Sequence, residues 1–266
     1  MRNIPDNNLA YPVLIEIDKR ITGSGFMMNV EGQMFFATAK HVLFDEASNA
    51  PTGLIAKLMC PTDDLTNNDN RDLVVDLEAC NMVGHSSADV AIIQIIVSRD
   101  EQNKKIQIGN GVRQVKKKMV GMTVAVQVPQ ATKRLAQVLV SNDVFLYGYP
   151  TSLRLQDSAQ FDFHKPLLRK GIVANVYPEQ STIILDCPVY FGNSGGPVIE
   201  VEKDKNGNYN HKVIGVVSQY VPFVQKWTDV KGKVETQAIM NSGYSIAVSM
   251  DKVFELVTQL TGLVIP

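Results

Sequence analysis

The sequence predicts an all-β protein, a pair of antiparallel barrels closed by one C-terminal helix. Three observations predict it. Short β-branched and aromatic runs recur at near-regular spacing, each bounded by Gly, Asn, Asp or Pro. Helical periodicity appears at the end of the chain, over 250–261, where Val253, Phe254, Leu256, Val257 and Leu260 share one face. A chain of 266 residues, 45% hydrophobic and 20% charged, can bury a sizeable core in one unit of this kind.

The elements follow in order. Residues 13–17 are apolar and β-branched. Residues 25–30 and 34–38 flank Glu31-Gly32 and read as a hairpin. Further strands are expected at 54–59, 73–77 and 90–97, with an Asp- and Asn-rich surface loop at 61–70. Residues 101–119 are polar and basic, and the connection between the halves is placed just after them. This gives an N-terminal barrel over 1–120 and a C-terminal barrel plus helix over 121–266. In the second half, strands are expected at 124–128, 137–140, 144–147, 171–176, 182–185, 198–201, 213–218 and 244–248, with a hairpin tip at 203–210. Ser249 can cap the final helix and Gly262 can end it; its apolar stripe is expected to pack on the second barrel. Neither an internal repeat nor a low-complexity linker interrupts the pattern.

Charge and cysteine content exclude several classes. The net charge is −1, with 26 Lys and Arg against 27 Asp and Glu, so there is no global basic field for nucleic acid. The Lys116-Lys117-Lys118 cluster reads as a solvated loop or edge strand. The longest apolar runs are strand-sized, which argues against a membrane span. Residues 1–11 lack the apolar core of a signal peptide. Cys60, Cys80 and Cys187 are odd in number and widely spaced, with no C-x-x-C pattern, so neither a metal site nor a disulfide framework is expected. A reducing, cytoplasmic setting follows.

The chemistry concentrates in Gly192-Asn193-Ser194-Gly195-Gly196-Pro197. A nucleophilic serine needs an exposed hydroxyl on a tight turn, and flanking glycines open backbone angles closed to other residues. The N–H groups of Gly192 and Ser194 can then converge on one developing oxyanion. The hydroxyl also needs a base. Of the four histidines, His41 alone closes an apolar strand, in Thr38-Ala39-Lys40-His41-Val42. His85, His164 and His211 lie in polar or turn-rich surroundings. The base in turn needs an acceptor for its second ring nitrogen. Asp89 opens the apolar run Val90-Ala91-Ile92-Ile93, where a half-buried carboxylate requires a partner; Asp72 and Asp76 are alternatives in a more polar strand.

T-A-x-H, A-D-[VI]-A and G-N-S-G-G-P, in that order, resemble the trypsin-like serine peptidases. The similarity is greatest to the intracellular, HtrA-like branch, through Gly23-Ser24-Gly25-Phe26, Gly148-Tyr149-Pro150, Gly171-Ile172-Val173 and Gly243-Tyr244-Ser245-Ile246. The resemblance implies a chymotrypsin-like double barrel with six strands in each half and a serine endopeptidase working through His41, Asp89 and Ser194. Gly192 and Ser194 would form the oxyanion hole, and no cofactor would be needed. It also implies that residues 213–218 pair with substrate backbone and that Ser218 hydrogen-bonds near Asp89.

Substrate contacts are expected from Val189, Tyr190 and Phe191 (after Pro188), from Ser218, Gln219 and Tyr220, and from the 243–245 strand. These stretches carry no acid, so a small or medium apolar residue before the cut is expected, with Tyr220 narrowing the entrance. Cys187 reads as a small buried hydrophobe beside this wall. Asn193 stands where zymogen-activated members carry Asp, which argues against activation by a new N-terminus. With few residues after the helix, the PDZ module that HtrA-like enzymes usually append is not expected here. The implied partners are a protein or peptide substrate and, as a second class, a regulatory protein. The alternative function is a silent or latent module that binds a partner peptide or cuts one dedicated target.

Overall fold

The computed structural model describes residue 4 and residues 8–63, 70–100, 105–115, 123–151, 159–228 and 234–266. The Lys116 cluster and most of the loop expected at 61–70 lie outside the described residues. Ten strands form the first sheet. They are β1 (Pro12–Ile17), β2 (Ile21–Val30), β3 (Gln33–Thr38), β4 (Ile55–Pro61), β5 (Asn70–Asp76), β6 (Met82–Gly84), β7 (Ala91–Asp100), β8 (Lys105–Ile108), β9 (Val112–Gln114) and β10 (Val126–Val128), with a single helical turn, α1 (Lys40–Leu43), after β3. The order is β6-β7-β3-β2-β1-β4-β5-β9, with β8 on β7 and β10 parallel to β2. The six long strands β7-β3-β2-β1-β4-β5 make the body of this half, and the four short ones extend it.

The second sheet is a closed six-stranded barrel in the order β11-β12-β13-β16-β15-β14. Its strands are β11 (Asp143–Gly148), β12 (Leu167–Tyr177), β13 (Thr182–Asp186), β14 (Pro197–Lys203), β15 (Tyr209–Thr228) and β16 (Val234–Ser249). The helix α2 (Met250–Thr261) follows. Glu31 and Gly32 both take positive φ, +48° and +85°, as a two-residue hairpin between β2 and β3 demands.

The central strands bury both faces, which explains their nearly continuous apolar sequences. Along β2, Met27 faces the interior of the first half with Phe36, Ala91 and Ile93. Its neighbours Phe26, Met28 and Val30 face the other way, joined by Phe35, Ala37, Val90 and Ile92. That second cluster also holds Phe145, Tyr147, Ile199 and Val216 from the second barrel and Val253, Phe254 and Val257 from α2. It is therefore the seam between the halves. Val144, Leu146, Val198, Ile214 and Val217 fill the interior of the second barrel.

Four expectations change. The strand expected at 124–128 in the second half is β10 (Val126–Val128), which joins the first sheet beside β2. The stretch 137–140 is not a strand: a 3-10 turn spans Leu135–Gln137, and the N–H of Leu139 donates to the buried Glu200 carboxylate rather than to a strand. The helix α2 packs on β6 and β7 of the first sheet as well as on β15 and β16, so it straps both halves together instead of covering the second alone. Ser249 occupies the N-cap with extended backbone, but its hydroxyl makes no capping bond to a backbone N–H; it reaches Asp251 instead. At the other end, Gly262 adopts φ +76° and donates to the Thr258 carbonyl, the expected left-handed cap. Among the described residues no helix is long and apolar enough to cross a membrane.

Candidate active site

His41 sits on α1, three residues past the end of β3 rather than on the strand itself. The turn forms because Val42 and Leu43 point into the core, which leaves Lys40 and His41 at the surface of the seam. Asp89 lies in the bend that leads into β7. Its two carboxylate oxygens stand 3.0 and 2.9 Å from His41 Nδ1. The His41 backbone N–H also donates to Asp89 Oδ1 at 3.0 Å, and Ser218 Oγ donates to Oδ2 at 2.6 Å. The two side chains are only 35% and 29% exposed. An acceptor at Nδ1 places that ring proton there and leaves Nε2 as the basic nitrogen.

Charge follows the geometry. Burial pulls the His41 imidazolium down, but the hydrogen bond and charge of Asp89, with a contribution from Glu46, outweigh it and hold the pKa above its ordinary value. Burial pushes Asp89 upward, and the His41 ring, the Ser218 hydroxyl and the His41 N–H together bring it below the ordinary carboxylate value. The pair is therefore arranged to stabilise a cation on His41 beside an anion on Asp89.

Ser194 comes from the loop between β13 and β14, and the first half holds that loop in place. The N–H of Ser24 donates to the Ser194 carbonyl at 2.8 Å. The Ser24 hydroxyl donates to the Gly192 carbonyl at 2.6 Å and accepts the Tyr149 N–H at 3.0 Å. Gly195 has φ +88° and passes so close to β2 and β3 that a Cβ there would fall on the Ser24 carbonyl oxygen and the Thr38 hydroxyl. Only glycine fits. Asn193, 1% exposed, closes the turn internally: its N–H donates to the Tyr190 carbonyl at 2.9 Å and its Oδ1 accepts the Tyr190 N–H at 3.0 Å.

The Ser194 hydroxyl donates to the Ser218 carbonyl at 3.1 Å. The N–H groups of Gly192 and Ser194 meet no acceptor among the described residues. The orientation of the Gly192 N–H has a clear cause. The Phe191 carbonyl in the same trans peptide accepts the Thr151 N–H at 2.9 Å and the Thr151 hydroxyl at 3.4 Å. With the C=O fixed outward on Thr151, the N–H points the opposite way.

One cleft of about 710 Å³ is lined by His41, Asp89, Ser194, Val189, Tyr190, Phe191, Ser218, Gln219 and Tyr220, together with residues of the His41 and Asp89 loops. The structure thus brings every candidate side chain to one place. Pro188 and the 243–245 strand are not part of this lining. Ser245 is buried behind it, with its hydroxyl on the Cys187 carbonyl. Phe191 and Tyr220 meet edge to face across 5.9 Å, and the Arg169 guanidinium lies 4.6 Å over the Tyr190 ring. Cys187 is fully buried, and burial pushes its thiol up to about 11, so it behaves as a small apolar group. In the sequence, Ser24 stands out only through a resemblance, His85 only as a histidine in polar surroundings, and Thr151 not at all. The spacing of Ser24 from Ser194, 170 positions, carries no local signal.

Residues 23–205 match the family model of the trypsin-like peptidase domain. Among solved structures, the chain resembles the HtrA-type protease AlgW, described with a tripeptide, at 15% identity and a TM-score of 0.53. The match covers 96% of this chain and 61% of that one. No curated protein matches the sequence.

Proposed function

The chain belongs to the trypsin-like peptidase family, and we propose that it is a serine endopeptidase with Ser194 as nucleophile, His41 as general base and Asp89 as the group that orients the base. The observation that carries this reading is the Asp89 carboxylate against His41 Nδ1 in the same cleft as Ser194, whose own N–H and that of Gly192 meet no acceptor among the described residues. The first sheet, β1–β10, supplies base and carboxylate; the closed barrel, β11–β16, supplies the nucleophile.

Rotation about the Ser194 side chain moves its hydroxyl from the Ser218 carbonyl to His41 Nε2. His41 takes the proton as Oγ attacks the scissile carbonyl carbon, and Asp89 stabilises the imidazolium. The oxyanion settles against the N–H groups of Gly192 and Ser194. The C–N bond breaks as His41 gives its proton to the leaving amine. A water, deprotonated by His41, then attacks the acyl ester and releases the peptide acid and Ser194.

The rim formed by Val189, Tyr190, Phe191, Gln219 and Tyr220 has no acid, and the Phe191–Tyr220 pair crowds its mouth. Both features favour a small or medium apolar residue such as Val, Ala or Leu before the cut. The substrate is a peptide or an extended protein segment, and a regulatory protein remains the second partner class. Three unpaired thiols accord with a reducing, cytoplasmic setting. The test is digestion of a peptide library read by mass spectrometry. The wild type should cut after small apolar residues and Ser194→Ala should not cut. Products ending in Arg, Lys or Glu would refute the preference, and cleavage that survives Ser194→Ala would refute the nucleophile.

A further inference from the structure

A second histidine stands behind the candidate triad. His85 opens the loop between β6 and β7 and is 7% exposed. Its Nδ1 accepts two backbone N–H groups, from Ser87 and Ala88, each at 3.1 Å. That fixes the proton on Nε2, which donates to Glu255 Oε2 of α2 at 2.8 Å. The main chain of the same residue is also held. Its N–H donates to the Val90 carbonyl at 2.9 Å, and its carbonyl accepts Lys40 Nζ, next in sequence to His41, at 3.0 Å. Glu255 is shared with Lys252, whose Nζ lies at 2.8 and 3.1 Å. The charged groups bonded to this loop or lining the clefts beside it are Lys40, Glu46, Asp89, Glu179, Glu255 and Lys252.

We propose that His85 is a positioning residue for Asp89: its ring acts as the internal acceptor that folds residues 85–88 into a turn, and it ties that turn to α2. The proposal rests on the reading of His41, Asp89 and Ser194 given above. The ring does what an Asn or Asp side chain does in an Asx turn, where a side-chain acceptor two bonds from Cβ takes the N–H groups two and three residues on. Asp89 follows the turn directly, so a slack turn moves the carboxylate relative to His41 Nδ1. Because α2 also packs on β15, the strand that carries Ser218, the His85–Glu255 bond links the Asp89 loop to the half that carries the nucleophile.

The chemistry of the ring separates this role from simple packing. Asn places Oδ1 where His has Nδ1 but cannot reach Glu255. Gln reaches toward Glu255 but has no acceptor at the δ position, and Leu has neither. With a fluorogenic peptide, His85→Leu and His85→Gln should lose on the order of tenfold to a hundredfold in kcat, with the larger change in kcat rather than KM. Their kcat/KM acid limb should move to lower pH, because a looser Asp89 holds less charge on His41. His85→Asn should stay within a few-fold of wild type, as should Glu255→Gln, which keeps an acceptor for Nε2–H. Thermal melts run alongside, and the Asn and Gln variants carry the test should Leu fail to fold. Wild-type kcat and pH profile in His85→Gln, or equal losses in the Asn and Gln variants, would overturn the proposal. Those failures leave Ser194-dependent turnover of the wild type intact. Turnover that did not depend on Ser194 would instead sink the triad reading, and the role of His85 with it.

Discussion

Ser218→Ala removes one oxygen from the site and leaves the rest of the constellation standing. The Ser218 hydroxyl donates to Asp89 Oδ2 at 2.6 Å, while its backbone carbonyl, which holds the resting Ser194 hydroxyl, is retained. A hydrogen bond to a charged group contributes about 1.5–3 kcal/mol. The Asp89 side chain is 29% exposed, so water can replace part of that bond, and about half the value should be lost. One factor of ten in rate corresponds to about 1.4 kcal/mol, so kcat/KM should fall roughly three- to tenfold. The direction of the pH effect follows as well. A less stabilised Asp89 carboxylate supports the His41 cation less, so the acid limb should shift to lower pH, with KM nearly unchanged. The assay is initial-rate hydrolysis of a fluorogenic peptide across pH, with a thermal melt to show that the fold survives. Unchanged kcat/KM would mean that this bond does not reach the transition state. A loss beyond a thousandfold with a normal melt would mean that Ser218 takes part in the chemistry itself, and either result would refute the reasoning.

Two further outcomes follow from the same geometry. Because Asp89 and Glu46 outweigh burial and raise His41, and because the neutral ring is the proposed base, kcat/KM should rise with pH through a midpoint above the usual histidine value of about 6.5; a midpoint clearly below it would contradict the arrangement. Gly195→Ala should destabilise the protein by more than about 2 kcal/mol in urea melts and abolish turnover, since it combines positive-φ strain with a Cβ driven into Ser24 and Thr38; a stable, active variant would show that the nucleophile loop is not clamped to the first sheet.

Much of this molecule can be read from its residues, and the parts that cannot share a cause. The hairpin at Glu31-Gly32, the helix over 250–261 and its Gly262 stop are local events governed by turn chemistry and periodicity, and the structure has them where those rules put them. Candidate residues His41, Asp89 and Ser194 were legible because each sits in a short string whose composition is unusual for plain structure. The strand β15 was read only as far as Ser218, yet it continues to Thr228 in a ribbon with β16. Beyond Tyr220 that ribbon is largely exposed, so no alternation of polar and apolar residues marks it. Its backbone groups are satisfied by the partner strand, which needs no burial. The opposite error arose at 137–140, where Val138, Leu139 and Val140 imitate a strand. Only Val138 is buried, and the N–H of Leu139 finds a carboxylate from β14 that lies far off in sequence. His85 reads in the sequence only as a histidine set aside as a base, for a related reason. Its surroundings are polar in sequence, and its partner Glu255 lies 170 positions away.

The central claim is that Ser194 is an activated nucleophile, and labelling with a fluorophosphonate tests it most directly. The wild-type chain and Ser194→Ala are treated side by side, and the modified peptide is located by tandem mass spectrometry. A single adduct on Ser194, lost in the variant and slowed in His41→Ala, is the predicted result. An unlabelled wild type, or an adduct that persists on another residue in Ser194→Ala, would contradict the account.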